Sequence, residues 1–337
     1  MRRILGTLLV MVSLIVGALS ARADSVEDFY KGRLIRFISG YPAGTDYDFW
    51  ARLIARHWGD FIPGHPTFVV EFMPGGGQIV AANYLYNVAE HDGATVLMFE
   101  RSLPYYALLG DKNIHFDPAK FNWIGSAEQT NRACFAIDGA PVQKAADLFD
   151  KELIVGGAGV ASGLSNTPLL LSKLLGMKFK LIEGYSGAEN VLLSIEKGEL
   201  QGLCDSVSGL RAVRPGWIEQ GKLKVLFTML HDPEPGLNVP TIYEFTKTDE
   251  QRQIINLYMT SLEFGRPIIA PPGIPAERVT ALRRGFDAMV ADPSFQADAE
   301  KLHYTLTLRK GEVLQDIATR LMATPKEVVD RVQSLTK

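Results

Sequence analysis

Residues 34–48, Leu-Ile-Arg-Phe-Ile-Ser-Gly-Tyr-Pro-Ala-Gly-Thr-Asp-Tyr-Asp, open the part of the chain whose reading decides the fold. The apolar run Leu34 to Ile38 reads as a strand and breaks into a small-residue turn. From Asp48 to Trp58, the residues Phe49, Leu53, Ile54 and Trp58 recur at helical spacing, with Asp48 as N-terminal cap or first-turn acid. The pattern then repeats. Phe68 to Phe72 is a second strand, Pro74-Gly75-Gly76-Gly77 turns the chain, Ile79 to Val88 reads as a helix and Thr95 to Phe99 as a third strand. A β-α-β-α-β series implies a parallel sheet with helices on both faces, because parallel neighbours need a crossover long enough to hold a helix.

A second α/β unit follows. Ala133 to Ile137 and Leu153 to Val155 read as strands, Thr167 to Leu175 as a helix and Lys178 to Ile182 as a strand. Ala188 to Lys197 is a helix stopped by Gly198, and Leu203 to Val207 and Leu223 to Met229 are strands. Beyond a Pro-rich stretch (Asp232 to Pro240) come a strand, Pro267 to Ala270, and the helices Ala276 to Val290, Pro293 to Leu302 and Gly311 to Met322. Two α/β units with a C-terminal return fit two lobes joined by crossing segments.

Composition narrows the function. The chain has 337 residues, 47% hydrophobic and 22% charged, which is globular rather than disordered. With 35 basic against 38 acidic residues there is no basic excess to neutralise phosphates, so nucleic acid is a poor partner. Two cysteines exclude a disulfide scaffold, and the six histidines form no H-E-x-x-H, so no metal site is expected. Arg2 and Arg3, the uncharged run Ile4 to Ala21 and the small-x-small step Ala21-Arg22-Ala23 read as a cleaved signal peptide over residues 1–23. Export to a bacterial periplasm is the expectation.

Several Gly-rich turns sit where a strand meets a helix: Pro42 to Thr45, Pro74 to Gly77, Gly157 to Ser162 and Gly184 to Gly187. In open α/β sheets ligands bind at the carboxyl ends of strands, where helix N-termini offer free N–H groups and positive dipole ends to anions. Each turn alone also fits a glycine that merely completes a tight connection. Taken together they read as an anion clasp built from backbone donors. Arg101 and Ser102 directly follow the third strand and Arg132 begins the second unit. An arginine there suits two-point contact with a carboxylate, against the ordinary alternative of a surface ion pair. Asp205 stands in an apolar segment where an unpaired carboxylate is costly, so it reads as a ligand contact or a helix cap. Cys134 and Cys204 lie in strands of the second unit. A disulfide and two buried thiols fit the sequence equally.

Two enzyme-like patterns are incomplete. Gly75-x-Gly77 echoes a dinucleotide turn but has Val80 at the third glycine position, and no G-x-x-x-x-G-K-[ST] occurs. Gly184-Tyr185-Ser186-Gly187-Ala188 misses G-x-S-x-G by its last residue, and no spacing supports His231 or His303 as base.

Four segments together carry a family likeness. Tyr41 to Asp48 with Ala51-Arg52 looks like P-x-G-G-x-x-D-x-x-A-R, and Glu71 to Gly77 looks like E-N-x-P-G-A-G-G. Asp92-Gly93-Ala94-Thr95-Val96-Leu97 looks like D-G-Y-T-L-L, and Gly184 to Gly187 like P-Y-x-G. From about Phe29 onward the chain resembles the extracytoplasmic solute receptors of tripartite tricarboxylate transporters, the TctC or Bug family. It departs at Thr45 and Asp46, at Phe72 and Gln78, and at Ser165 and Asn166, where a histidine is usual. These departures bear on the ligand rather than on the fold.

The resemblance implies an α/β, two-lobed periplasmic binding protein (type II-like). Each lobe would be a mixed sheet flanked by helices, with the ligand cleft between them. Lobe 1 would comprise residues 24–130 and 231–337 and lobe 2 residues 131–230, closing about crossings near 125–132 and 228–232. Carried over residue by residue, the cleft is lined by Tyr41, Ala43, Gly44 and Thr45, by Ala158, Gly159 and Ser162, and by Tyr185, Ser186 and Gly187, with Asp205 beside them. The expected function is capture of a small organic carboxylate, a dicarboxylate or aromatic carboxylate, for delivery to the permease subunits of a tripartite transporter. No catalysis and no cofactor are implied, and a monomer suits the role. The alternatives are a secreted α/β hydrolase or esterase using Ser186, and a ligand sensor for a signalling partner.

Overall fold

The computed structural model describes residues 25–336 apart from 45, 130, 159–161, 186, 231–235 and 303. The expected signal peptide lies outside the described residues. Among them, no helix is long and apolar enough to cross a membrane.

A short helix, α1 (Val26–Tyr30), leads into β1 (Leu34–Ser39). Then come α2 (Asp46–His57), β2 (Thr67–Phe72), α3 (Ile79–Asn87), β3 (Thr95–Met98), α4 (Leu103–Leu108) and β4 (Asn122–Ser126). β1 pairs in parallel with β2 on one side and β3 on the other, which is the β-α-β-α-β unit read from the sequence. Its strands alternate between two cores. Ile35, Phe37, Val96 and Met98 face one with Trp50, Leu53 and Ile54 of α2. Ile38 and Leu97 face the other with Ala81, Ala82 and Leu85 of α3. Period-two alternation with both faces covered is why β1 and β3 read as continuous apolar runs.

The chain then builds a second sheet from β5 (Arg132–Ile137), β6 (Leu153–Gly156), α5 (Gly163–Leu175), β7 (Phe179–Ile182), α6 (Ala188–Glu196), β8 (Gly202–Ser206), α7 (Val207–Val213) and β9 (Leu223–Thr228). The strand order is β7-β6-β8-β5-β9. β6 is parallel to β7 and β8, and β5 runs antiparallel to β8 and β9. In the β5–β8 register Cys134 stands directly opposite Cys204, and the two are joined by a disulfide.

The return begins with α8 (Asp249–Glu263) and continues through β10 (Pro267–Ala270), α9 (Ala276–Ala291), α10 (Pro293–Lys301), β11 (Arg309–Lys310), α11 (Gly311–Met322) and α12 (Lys326–Thr336). β10 inserts antiparallel between β3 and β4, giving the order β11-β4-β10-β3-β1-β2. The molecule is therefore α/β with two mixed sheets, each flanked by helices.

Three elements differ instructively from the sequence reading. Helix α5 starts at Gly163, earlier than the expected Thr167. The Ser162 hydroxyl accepts the Leu164 N–H at 3.2 Å and caps it, so Pro168 falls inside the helix rather than at its start. Val207 opens α7 instead of ending β8, because the Ser206 hydroxyl takes the Gly209 N–H at 3.0 Å. Helix α8 was not anticipated. It is apolar on two sides: Ile254 and Leu257 join the core of the first sheet, and Ile255, Met259 and Leu262 join that of the second.

Where the chain passes between sheets, the crossing strands are stitched together. Leu230 N–H donates to the Asn131 side chain at 3.3 Å and Met229 N–H to the Arg132 carbonyl at 2.8 Å. Glu128, nearly buried, takes a short hydrogen bond from Arg266 Nε at the entry to β10 and faces Ser208 of α7 across 3.4 Å.

Candidate ligand-binding site

The carboxyl ends of β1 and β3 place two loops side by side, and their polar groups converge on Glu100. Tyr47 and Tyr41 donate their hydroxyls to Glu100 Oε2 at 2.7 and 3.0 Å. The Ser102 N–H and hydroxyl donate to Oε1 at 3.2 and 3.1 Å. Four donors therefore satisfy one carboxylate. Burial first, and the Glu100 charge second, push both tyrosine phenols above their ordinary value, so each keeps its proton and serves as a donor. The Tyr41 and Tyr47 rings lie 4.7 Å apart, and the Arg266 guanidinium sits 5.0 Å from the Tyr47 ring.

The neighbouring loop is tied from within. Gly44 adopts φ +83°, open to glycine, and its N–H donates to Asp48 Oδ2 at 2.8 Å. Asp48 Oδ1 accepts Arg52 Nε at 2.6 Å, one helical turn on. Asp48 is thus the first-turn acid of α2.

Because Glu100 is satisfied by hydroxyls and an amide, it leaves Arg101 without a carboxylate. Arg101 Nη1 is buried and has no hydrogen-bond partner. It borders a cavity of about 380 Å³ that also receives Glu100, Ser102 and Arg132. Tyr105 and Tyr106 of α4, with Leu109 just after it, form one wall, and Tyr258, Met259, Ser261 and Leu262 of α8 the other. Gly163 and Asn166 of α5 close the side nearest the second sheet. The cavity therefore lies where elements of both sheets meet.

Arg132 enters from the start of β5. Its Nη1 donates to Thr167 Oγ1 at 3.1 Å, and Thr167 Oγ1 lies 3.2 Å from the Tyr258 hydroxyl. Its Nε is buried and unpartnered. Among the described residues, no carboxylate pairs with Arg101 or Arg132. Burial pushes the Tyr258 phenol up, with Arg132 pulling in the opposite direction.

The sequence candidates fall into four groups. Arg101 and Ser102 border the cavity, Tyr41 is one hydrogen bond away through Glu100, and Ser162 adjoins the bordering Gly163. Ala43 and Gly44 are exposed in the β1–α2 loop. In the second unit, Ala158 and Tyr185 pack on the core of α6, Gly187 caps α6, and Asp205 holds the Ser206 N–H at 2.8 Å, none of them bordering this cavity. Thr45, Gly159 and Ser186, with His231 and His303, lie outside the described residues. Sequence reasoning missed Tyr105, Tyr106, Asn166 and Tyr258. Tyr258 sits on the unanticipated α8, whose Thr248…Gln251 capping signature was the available signal.

No family model matches the sequence, and no curated protein matches it either. Solved structures do. A TctC solute-binding protein from Polaromonas gives a TM-score of 0.71 at 21% identity, over 90% of this chain and 99% of that one. A protein of R. palustris solved with adipate gives 0.59 at 19% identity, over 89% and 97%. MatC from Rhodopseudomonas palustris with bound malate gives 0.57 at 19% identity, over 90% and 99%. With both mixed sheets and nearly the whole length matched, the chain has the fold of the TctC-type solute-binding proteins.

Proposed function

We propose that this protein is a periplasmic receptor of the TctC or Bug family that captures a small organic carboxylate in the cavity between its two sheets. The observation that carries the reading is a pair of arginines, Arg101 and Arg132, that border one cavity with no carboxylate of their own among the described residues. A half-buried guanidinium without a counter-charge is costly, and a ligand carboxylate supplies the missing acceptor in two-point geometry. Structural neighbours solved with adipate and with malate, both dicarboxylates, support that ligand class. The reading needs no catalytic group. Lobe 1 (24–130 and 231–337) and lobe 2 (131–230) close on the ligand about the crossings, and the closed monomer presents it to the permease of a tripartite transporter.

The test is a thermal-shift screen of the exported chain against linear and aromatic mono-, di- and tricarboxylates, with amino acids and nucleotides as controls. A ligand that binds only the folded state raises the melting temperature with concentration. A dose-dependent rise confined to carboxylates, lost in Arg101→Gln, is the expected result. A rise from a nucleotide alone, or turnover of a chromogenic ester, would replace the receptor reading.

A further inference from the structure

We propose that Arg132, with the first turn of α5, forms a second anion subsite, so that the cavity selects dianions over monoanions. This rests on the reading of the cavity as a carboxylate site and adds which residue counts the ligand's charge.

A Cβ at Gly163 would overlap Arg132 Nη1, Cζ and Nη2, so the guanidinium lies directly against the residue that opens α5. That end of a 13-residue helix carries the positive end of its dipole. A fixed cation is thus held against a positive helix end. Arg132 Nη1 donates to the neutral Thr167 hydroxyl, the guanidinium also lies beside the neutral Tyr258 phenol, and its buried Nε meets no acceptor among the described residues. Two like charges in a partly desolvated place cost energy that an anion between them relieves.

Arg101 is a separate cation of the same cavity, brought there by the first sheet, and its own neighbour Glu100 is already occupied by Tyr41, Tyr47 and Ser102. The cavity therefore offers two cationic acceptor-seeking groups from different sheets. Its remaining wall is mixed: Leu109, Met259 and Leu262 are apolar, while Tyr105, Tyr106, Tyr258, Asn166 and Ser261 add polar groups. Two anion subsites on one cavity describe a ligand that carries two carboxylates. A monoanion would leave one guanidinium unpaired and lose the corresponding energy.

Calorimetric titration of the exported chain with matched pairs tests this: adipate against hexanoate, and benzene-1,4-dicarboxylate against benzoate. In the wild type the dianion of at least one pair binds at least about tenfold tighter, the ratio expected from one added charge-assisted contact. Arg132→Gln brings that ratio close to one by weakening the dianion and leaving the monoanion nearly unchanged, whereas Arg101→Gln weakens both. If Arg132→Gln fails to fold, Gly163→Ala displaces the guanidinium without removing it and lowers the same ratio. A ratio unchanged by Arg132→Gln or Gly163→Ala overturns the second subsite while leaving the receptor intact. A wild type that binds no member of either pair overturns both.

Discussion

At the scale of single residues, Gln78 sets up the sharpest test of the fold's internal chemistry. It is fully buried at φ +75°, ahead of α3, and neither its Oε1 nor its Nε2 has a hydrogen-bond partner. Its side chain packs on Gly40, at the end of β1, where a Cβ would come within 2.5 Å of Gln78 Cγ. A buried amide left unpaired costs about 1–3 kcal/mol, whereas an apolar side chain of equal length fills the same space without that cost. Gln78→Met should therefore stabilise the protein by about 1 kcal/mol or more in urea unfolding. A loss of stability would mean that the amide is satisfied by solvent in the native state. Asp298 makes the opposite case, a charge supported from several sides. Lys301, then His57 and Arg56, hold its carboxyl at about 2, below the ordinary carboxylate value. A depressed acid stabilises the fold above its unfolded pKa of about 4, and that stability is lost as pH falls towards 2. The melting-temperature difference between wild type and Asp298→Asn should thus be present at pH 6 and vanish near pH 2. A difference constant with pH would remove Asp298 from the acid limb.

At the scale of elements, the disulfide is a test of the β5–β8 pairing. It closes a loop over 70 positions of sequence across an antiparallel register in which the two cysteines are direct partners. Loop-closure entropy assigns such a link about 4 kcal/mol, less whatever order the reduced unfolded chain retains. Paired replacement, Cys134→Ala with Cys204→Ala, should lower stability by about 2–4 kcal/mol without changing far-ultraviolet circular dichroism at 25 °C. A fall of less than about 0.5 kcal/mol would show that the β5–β8 ladder holds its register unaided. The same elements show what was legible. β1, β2, β3 and β5 were readable because each is a short apolar run flanked by turn residues, and Gly311–Met322 because one apolar stripe repeats along it. Helix α8 was not, since its apolar residues face two cores and blur the single stripe that periodicity detects. β4 was missed because Asn122 and Gly125 interrupt its apolar run, and because its partner β10 lies more than 100 residues away in sequence. The site divides in the same way. Arg101 could be read from its place after β3, but its lack of a partner depends on how Tyr41 and Tyr47 satisfy Glu100, which only the folded loops show.

At the scale of the whole molecule, α8 decides whether two sheets behave as two domains. Domains joined by crossing strands often unfold separately, because their contact is small and polar. Here one 15-residue helix contributes Ile254 and Leu257 to the core of the first sheet and Ile255, Met259 and Leu262 to that of the second. Melting either core strips an apolar face from α8 and so exposes the side chains that support the other. Leu257 and Ile255 are 4% and 0% exposed, so truncation of either should cost about 2–5 kcal/mol. If α8 couples the sheets, calorimetry shows one transition for the wild type, and Leu257→Ala and Ile255→Ala each lower it as a whole. Two resolved transitions, with Leu257→Ala moving one and Ile255→Ala the other, would mean that the sheets melt independently and that α8 serves as a hinge spacer. The distinction reaches function, because Tyr258 and Met259 of α8 also border the cavity. A helix that couples both cores carries these two residues with whichever sheet moves, so ligand-driven closure must repack one face of α8. Residues Ile255 and Leu257 should then alter ligand affinity as well as stability, although neither borders the cavity.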